Sequence, residues 1–188
     1  MRKVIYATSL SLDGYIEEAT GGPSWVIPDE ELHRHFDGLE QDIDTHLYGR
    51  QMYELMAAYW PTADQNPSAP PFEREYAQIW KAVPKVIFSR TLDAAEWNSR
   101  VVRGDAIEEV ARLKSLPGKN MSVGGLILAS ALATAGIIDE YRFYYVPVLL
   151  GSGTAVFSEL GQRIRLQQLE TRTFKSGTVL VRCRPVSV

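Results

Sequence analysis

Four short segments of this 188-residue chain combine glycine, hydroxyl and arginine side chains at points where apolar, strand-like runs end. They are Gly124-Gly125, Ser89-Arg90-Thr91, Gly49-Arg50-Gln51-Met52 and Gly151-Ser152-Gly153-Thr154. Glycine allows a backbone to approach a diphosphate closely, and the first turn of a helix offers it free N–H groups. Arginine presents forked donors that match phosphate oxygens. Together the segments predict a binding site for a phosphate-containing nucleotide.

Each segment has a simpler interpretation when it is taken alone. A glycine pair makes a tight turn between a strand and a helix, and Ser89-Arg90-Thr91 is compatible with a solvated turn. Gly49-Arg50 fits a glycine turn with an exposed arginine, and Gly151–Thr154 fits a flexible connection. The glycine pair is not a GxGxxG fingerprint. The joint occurrence of the four segments, in this order, is what favours the nucleotide site.

The hydrophobic pattern predicts alternating strands and helices that would bring these segments to one edge of a sheet. Strands are predicted over 3–10, 42–49, 85–89, 99–103, 121–123 and 139–150, the last interrupted by Pro147, with a hairpin over 166–174 and 178–184. Helices are predicted over 28–39, where Pro28 takes the first position, and over 50–58, 72–82, 105–115 and 126–135. Residues 11–22 and 60–71 are predicted to be loops. This order indicates one α/β domain over 1–188, with three layers and a mixed, mostly parallel sheet that ends in an antiparallel hairpin.

Composition excludes several classes of protein. The net charge is −3 and the isoelectric point is near 5.7, so no broad basic surface for nucleic acid is expected. The single cysteine, Cys183, cannot form an internal disulfide, and its alternating apolar neighbours place it on a buried strand. We expect no signal peptide and no membrane span, and therefore a cytoplasmic protein.

The three histidines, His33, His35 and His46, raise the question of a metal site. His33 and His35 are two residues apart on a predicted helix, so they do not share a face. Solvent-facing histidines explain this pattern better, and no metal is predicted.

Five segments, read together, resemble the dihydrofolate-reductase-like superfamily: SLDGYI, LYGRQMYE, KVIFSRTL, VGGLILASAL and VPVLLGSGTAVF. Within it, the chain is most similar to the C-terminal reductase domain of riboflavin-biosynthesis deaminase-reductases. The resemblance covers Met1 to Arg184 and implies the fold of that superfamily. The arrangement of these motifs is specific for the fold and is a good indicator of NADPH, but it is a poor indicator of the substrate.

The resemblance also implies a set of residues around NADPH. Gly49, Arg50, Gln51 and Met52 would contact its phosphates; Ser89, Arg90 and Thr91 would hold the adenosine end; Gly124, Gly125, Leu126 and Ile127 would carry the diphosphate; and Ala7 and Thr154 would lie near the nicotinamide and its ribose. Arg90 on the 2′-phosphate is the reason for expecting NADPH rather than NADH.

The same resemblance implies candidate residues for binding the substrate and for catalysis. Asp13 matches the aspartate of a DG turn, and can bind substrate or simply bond its own backbone. Trp25 stacks on a flat ring or belongs to the core, and one of Tyr144 and Tyr145 lines the pocket; Tyr145 is the candidate. Glu30 takes the place of a catalytic carboxylate, with Asp29 or Glu31 available after a slip of one residue. Three acids at a helix start also stabilise the helix by themselves.

We therefore expect an NADPH-dependent reductase that transfers hydride to a small heterocyclic, pterin-like or pyrimidine-like substrate, with Glu30 and Asp13 as candidate proton donors beside water. Met52 takes the place of the threonine that is usual at this turn in dihydrofolate reductases, which argues against folate reduction. One alternative is a 5-amino-6-(5-phosphoribosylamino)uracil reductase-type activity in riboflavin synthesis. Another is a nucleotide-binding protein without turnover. A homodimer is expected from the resemblance and from the apolar strand 143–150, which needs cover.

Overall fold

A computed structural model describes residues 1–158 and 160–186. Its strands are β1 (Val4–Ser11), β2 (Tyr15–Glu18), β3 (Ile43–Gly49), β4 (Lys85–Phe88), β5 (Ser99–Val102), β6 (Asn120–Gly124), β7 (Glu140–Val146), β8 (Gly153–Ala155), β9 (Leu166–Thr173) and β10 (Val179–Pro185). Its helices are α1 (Glu30–Glu40), α2 (Arg50–Ala63), α3 (Pro71–Ala82), α4 (Ala106–Ser115) and α5 (Leu126–Thr134).

Eight strands form one sheet in the order β5-β4-β3-β6-β1-β7-β10-β9, and β2 pairs with β8 in a separate two-stranded ribbon. The first six strands in this order, from β5 through β4, β3, β6 and β1 to β7, run parallel to one another. Strand β10 is antiparallel to both β7 and β9. The predicted fold class is therefore confirmed: the sheet is mixed and mostly parallel, and it ends in an antiparallel hairpin.

Helices cover both faces of the sheet, because alternate residues of each strand point to opposite sides. On one face Leu113 of α4 and Leu132 of α5 pack against Tyr6 and Val123 of the central strands. On the other face Leu32 of α1 packs with Tyr144 of β7, α2 packs with β3 and β4, and α3 packs against α1 and α2. No helix within the described part of the chain is long and apolar enough to cross a membrane.

Two predicted helix boundaries are wrong. Helix α1 begins at Glu30, because the Asp29 carboxylate accepts the N–H of Leu32 and so caps the helix, and Pro28 lies outside it. Helix α2 continues to Ala63 through Pro61, which the sequence had placed in an exposed loop. Pro61 is buried in the last turn of α2, a helix that packs on α3, so burial in the folded protein outweighs the low helix propensity of proline.

The loop predicted over 11–22 contains strand β2, and the Gly151–Thr154 connection contains part of β8. The two short strands pair with each other, which local sequence patterns do not show. Strand β7 ends at Val146, before Pro147, instead of continuing to residue 150. Helix α5 is buried through Leu128 and Leu132, but Ile127 is 79% exposed.

The expectation that the histidines face solvent is wrong. His33 is buried against the ring of Phe72, and the Nε2 atom of His35 lies 3.0 Å from the Tyr144 hydroxyl. His46 is also buried: its Nε2 atom lies 2.8 Å from Glu40 and its Nδ1 atom 2.7 Å from the Tyr48 hydroxyl. The hydrogen bonds of His35 and His46 stay within the packed interior.

Candidate functional site

The carboxyl ends of the parallel strands lie along one edge of the sheet, in the order β5, β4, β3, β6, β1 and β7. Ligands of α/β proteins bind outside this edge. Ser89 follows β4, Gly49 ends β3 and Gly124 ends β6, so the three predicted nucleotide segments lie side by side. The segments 12–18 and 148–155 follow, at the ends of β1 and β7.

The two glycine turns are in contact with each other. Gly125 has a φ of +99° and caps α5, and a Cβ atom placed on it would lie 3.7 Å from the backbone nitrogen of Gly49, which caps α2. Neither cap has a side chain to bond the first turn of its helix, whereas Asp29 and Asp105 cap α1 and α4. Two adjacent helix starts without side-chain caps suit a diphosphate.

Gly124 has a different requirement. A Cβ atom at this position would lie 2.7 Å from the ring of Tyr48 and 2.9 Å from Cγ of Met52. Such distances exclude any side chain unless the ring moves. Packing within the protein therefore explains Gly124, and the conformation and position of Gly125 are what fit a ligand.

The turn after β4 is joined to the turn after β3. Ser89 Oγ accepts the N–H groups of Thr91 and Leu92, at 3.2 and 3.0 Å, and so folds the Ser89–Thr91 turn on itself. Arg50 Nη1 donates to Thr91 Oγ1 over 2.8 Å, while its Nε bonds Glu54. Arg50 thus connects two of the predicted nucleotide segments, and its neighbour Gln51 is exposed.

Arg103, which sequence reasoning did not select, completes this region. Its Nη1 donates to the carbonyl oxygen of Arg90 over 2.9 Å, and its Nη2 donates to that of Leu92 over 3.1 Å and lies 3.3 Å from Asp93. Because β4 and β5 are parallel neighbours, the residues that follow them meet at the same edge. The sequence signal was only that Arg103 ends the predicted strand over 99–103, because the pairing of that strand with β4 is visible only in the sheet.

Asp13 joins the ends of β1 and β7. Its carboxylate accepts the hydroxyl of Ser11 at 2.6 Å and the backbone N–H groups of Gly151 at 2.7 Å and Leu150 at 3.2 Å. The hydrogen bond from Ser11, followed by that from Gly151, lowers the pKa of the Asp13 carboxyl below its usual 3.8. Asp13 is therefore an ionised residue that holds a loop, and a poor proton donor at neutral pH.

The β2–β8 ribbon continues this surface. Thr154 Oγ1 donates to the carboxylate of Glu17 over 3.2 Å, and Ser24 donates to Glu18 over 2.6 Å. Gly153 has a φ of +138°, and a Cβ atom on it would collide with the carbonyl oxygen of Glu17. Only glycine allows the two strands to approach so closely at this point.

The three acids at the start of α1 all have partners. Glu30, whose side chain is 64% exposed, pairs with Arg34 at 2.9 Å. Glu31 accepts the backbone N–H of Lys175 at 3.0 Å and pairs with Arg172 at 3.2 Å, and these bonds lower the pKa of its carboxyl. Asp29 caps the helix. The stabilising role that such acids have at a helix start is thus present, and a catalytic role for Glu30 stays a prediction.

The remaining predicted residues take varied places. Trp25 is half-buried, and its Nε1 atom is buried without a hydrogen-bond partner among the described residues. Tyr144 belongs to the core, while Tyr145 is half-buried and points to the opposite face. Ala7 packs its side chain against the Tyr144 cluster. Leu126 is half-buried at the start of α5, beside the exposed Ile127.

Comparison with known proteins identifies the family. A curated relative, the uncharacterized protein YyaP of Bacillus subtilis (strain 168), is 34% identical over 181 residues, which cover 96% of this chain and 93% of the relative. Among solved structures, a Shewanella sp. PV-4 protein named for riboflavin biosynthesis has a TM-score of 0.77 at 19% identity, with both chains fully covered. Dihydrofolate reductase from Enterococcus faecalis, complexed with NADP(H), has a TM-score of 0.65 at 14% identity and covers 98% of this chain and 97% of its own.

At these identities the solved structures show a common fold and nothing more about activity. The sequence itself matches the family described as the RibD C-terminal domain over residues 2–180, which is nearly its full length. That match agrees with the resemblance found from the five segments. The chain belongs to the RibD C-terminal domain family.

Proposed function

We propose that this protein is an NADPH-dependent reductase that transfers hydride to a small heterocyclic substrate. The observation that carries the proposal is the contact between the glycine-capped starts of α2 and α5, next to a turn at which Arg50, Arg90 and Arg103 meet. This edge offers backbone N–H groups for a diphosphate and guanidinium groups for a further phosphate. Family membership and the fold shared with a dihydrofolate reductase support it.

The residues divide along the edge by the part of the cofactor that they would hold. Ser89, Arg90 and Thr91 would bind the adenosine end, with Arg90 on the 2′-phosphate. Gly49 to Met52 and Gly124 to Ile127 would bind the phosphates between the two helix starts. Ala7, which lies in the middle of β1 and not at its end, and Thr154 in β8 would face the nicotinamide end. When bound, the nicotinamide supplies the hydride, and the protein orients the substrate and excludes water.

The proton that accompanies the hydride needs a source. Asp13 is held ionised by its three donors, so it is better suited to fixing the 150–151 loop than to donating a proton. Glu30 is exposed and paired with Arg34, and it would have to turn to reach a substrate. We infer that water delivers the proton, and that Trp25 and Tyr145 contact the substrate ring.

Fluorescence titration with NADPH and NADH tests the cofactor, using wild type, Arg90→Ala and Arg112→Ala. Arg112 is a control because it pairs with Glu109 in the last turn of α4, at the end away from the site edge. We expect NADPH to bind more tightly than NADH, and only Arg90→Ala to remove the preference. Failure of wild type to bind either nucleotide would contradict the proposal.

A turnover assay distinguishes the proposed reductase from its two alternatives, the riboflavin-pathway activity and a nucleotide-binding protein without turnover. NADPH oxidation that depends on an added pterin, flavin or pyrimidine supports a reductase. Oxidation only with a phosphoribosylamino-pyrimidine favours the riboflavin-pathway activity. The Shewanella sp. PV-4 protein is named for riboflavin biosynthesis. Binding of NADPH without oxidation by any of these compounds favours the nucleotide-binding protein without turnover.

A further inference from the structure

Charge is distributed unevenly along the site edge. The β4–β5 end carries Arg50, Arg90 and Arg103. At the β1–β7 end, residues 4–32 contain no lysine, arginine or histidine, and residues 143–158 contain no charged residue at all. Within 4–32 there are six acids, which are Asp13, Glu17, Glu18, Asp29, Glu30 and Glu31.

The structure brings these two uncharged or acidic segments together on one surface. Leu12 N–H donates to the carbonyl oxygen of Val148 over 2.9 Å, and Asp13 accepts the N–H of Gly151 over 2.7 Å. Farther along, Glu17 pairs with Thr154 across the ribbon. Residues 12–18 and 148–155 therefore form a single surface, which we call the ribbon surface, beside the ends of β1 and β7.

Basic side chains neutralise two of these acids at the start of α1, but among the described residues no ion pair involves Asp13, Glu17 or Glu18 on the ribbon surface. Arg34 and Arg172 reach the start of α1, but each is already paired, with Glu30 at 2.9 Å and Glu31 at 3.2 Å. On the ribbon surface the pKa of Asp13 is lowered by its hydrogen bonds, so the carboxylate stays charged. An anionic group placed here would meet carboxylates without a partner of opposite charge.

The ribbon surface also exposes apolar area. Leu12 is 57% exposed and Leu149 is 72% exposed, on the adjoining segments that the Leu12–Val148 hydrogen bond joins. A ligand site generally combines apolar contact area with a few polar groups that select the ligand. Apolar area next to carboxylates suits a flat ring that carries no negative charge.

We propose that the substrate is a flat heterocycle that carries neither phosphate nor carboxylate. This inference rests on the proposed reductase function and names the substrate class of that same site. The acids of the ribbon surface select against anions by repulsion and by the cost of removing water from an unpaired charge. The proposal therefore argues against the phosphoribosylamino-pyrimidine alternative, because residues 4–32 and 143–158 contain no lysine, arginine or histidine to pair with its phosphate.

Two matched pairs of ring compounds test the proposal. Riboflavin and its 5′-phosphate share one ring, and dihydrobiopterin and dihydrofolate share another; in each pair only the second compound carries an anionic group. Binding is measured on protein saturated with NADP⁺, so that no turnover occurs. We expect the uncharged compound of at least one pair to bind about tenfold or more tightly than its anionic partner, equivalent to one repelled charge near a protein surface.

Glu17→Lys reverses one charge of the ribbon surface, and Asp42→Lys is the matched control. Asp42 is exposed and precedes β3, at the opposite edge of the sheet. Glu17→Lys should narrow the ratio of affinities within the pair, and Asp42→Lys should leave it unchanged.

Three outcomes would overturn the inference while the proposed function stands. They are equal or tighter binding of the anionic compound in both pairs, no binding of either uncharged compound, or a ratio that Glu17→Lys does not move. Loss of NADP⁺ and NADPH binding by wild type is a separate result, because it contradicts the proposed function itself and this inference with it.

Discussion

Arg103 Nη1 donates a hydrogen bond of 2.9 Å to the carbonyl oxygen of Arg90, so the end of β5 fixes the turn that follows β4. Its other terminal nitrogen bonds the carbonyl oxygen of Leu92. These bonds go to backbone carbonyl oxygens and do not occupy the guanidinium of Arg90. Arg103 is thus a positioning residue for the proposed 2′-phosphate site.

Arg103→Ala should weaken NADPH binding by about tenfold and NADH binding much less, because the turn loses two backbone bonds and the site loses one positive charge. Arg103→Lys keeps the charge but not the forked bonds, so its NADPH affinity should lie between those of wild type and Arg103→Ala. The ratio of the two dissociation constants is the measurement. Thermal denaturation serves as the control, and equal loss of NADPH and NADH affinity would argue for a purely structural role.

Gly124→Ala should destabilise the fold by about 1–3 kcal/mol, because the new methyl group overlaps the Tyr48 ring. Gly38→Ala is the control: Gly38 lies inside α1 with nothing within 4 Å of its added Cβ. The control should be more stable than wild type by about 0.5–1 kcal/mol, since alanine favours a helix. Urea denaturation measures both, and an unchanged Gly124→Ala variant would show that the ring moves freely.

Glu140→Gln should lower the free energy of unfolding by about 3–5 kcal/mol, because it leaves two arginines with a weakened partner in a buried position. The Glu140 side chain is 2% exposed and pairs with Arg142 at 2.7 Å and Arg182 at 2.6 Å. Glu30→Gln is the matched control in an exposed pair with Arg34. Denaturant titration should show little change for the control, and equal effects for the two variants would refute the argument from burial.

Asp13→Asn should lower stability at pH 7, and the difference from wild type should shrink in acid. The pKa of Asp13 in the folded protein is below the usual 3.8, so the carboxylate stabilises the fold above that value and loses this effect as pH falls through the folded pKa. Melting temperatures of both proteins from pH 7 down to pH 2 measure this, because the loss begins only below about pH 3.8. A difference that stays constant across that range would mean that charge is not involved.

The protein should form a homodimer. Strand β9 is an edge strand in which every residue is exposed, and Leu166 and Leu169 are 40% and 42% exposed on it. Long exposed edges are normally covered. Light scattering gives the mass directly, with Leu169→Lys expected to shift the protein toward monomer; a monomeric wild type would refute the prediction.

The regular elements were predictable because their patterns are local. The run KVIF and the Asp105 cap mark an element without reference to the rest of the chain. The β2–β8 ribbon was missed because its strands have four and three residues and are held by pairing between distant segments. Pro61 was misassigned for a related reason, since its burial in the folded protein, which local sequence does not show, decides its structure.

The residues of the candidate site were likewise predictable where the signal is local, and were missed where their role depends on tertiary structure. Glycine and hydroxyl residues after strands were identifiable because strand ends gather at one edge. The role of Arg103 depends on which strand lies next to β4, which only the sheet order shows. The solvent-facing assignment of His33 failed because spacing on a helix does not show which neighbours, here Phe72, cover a face.

The contact between Gly124 and Tyr48 links two positions that lie far apart in the sequence. The ring of Tyr48 fills the space that a side chain at 124 would need, and its hydroxyl is tied through His46 to Glu40. Substitutions at the two positions should therefore be accepted jointly rather than singly. Family members with a larger residue at the place of Gly124 should carry a smaller one at the place of Tyr48.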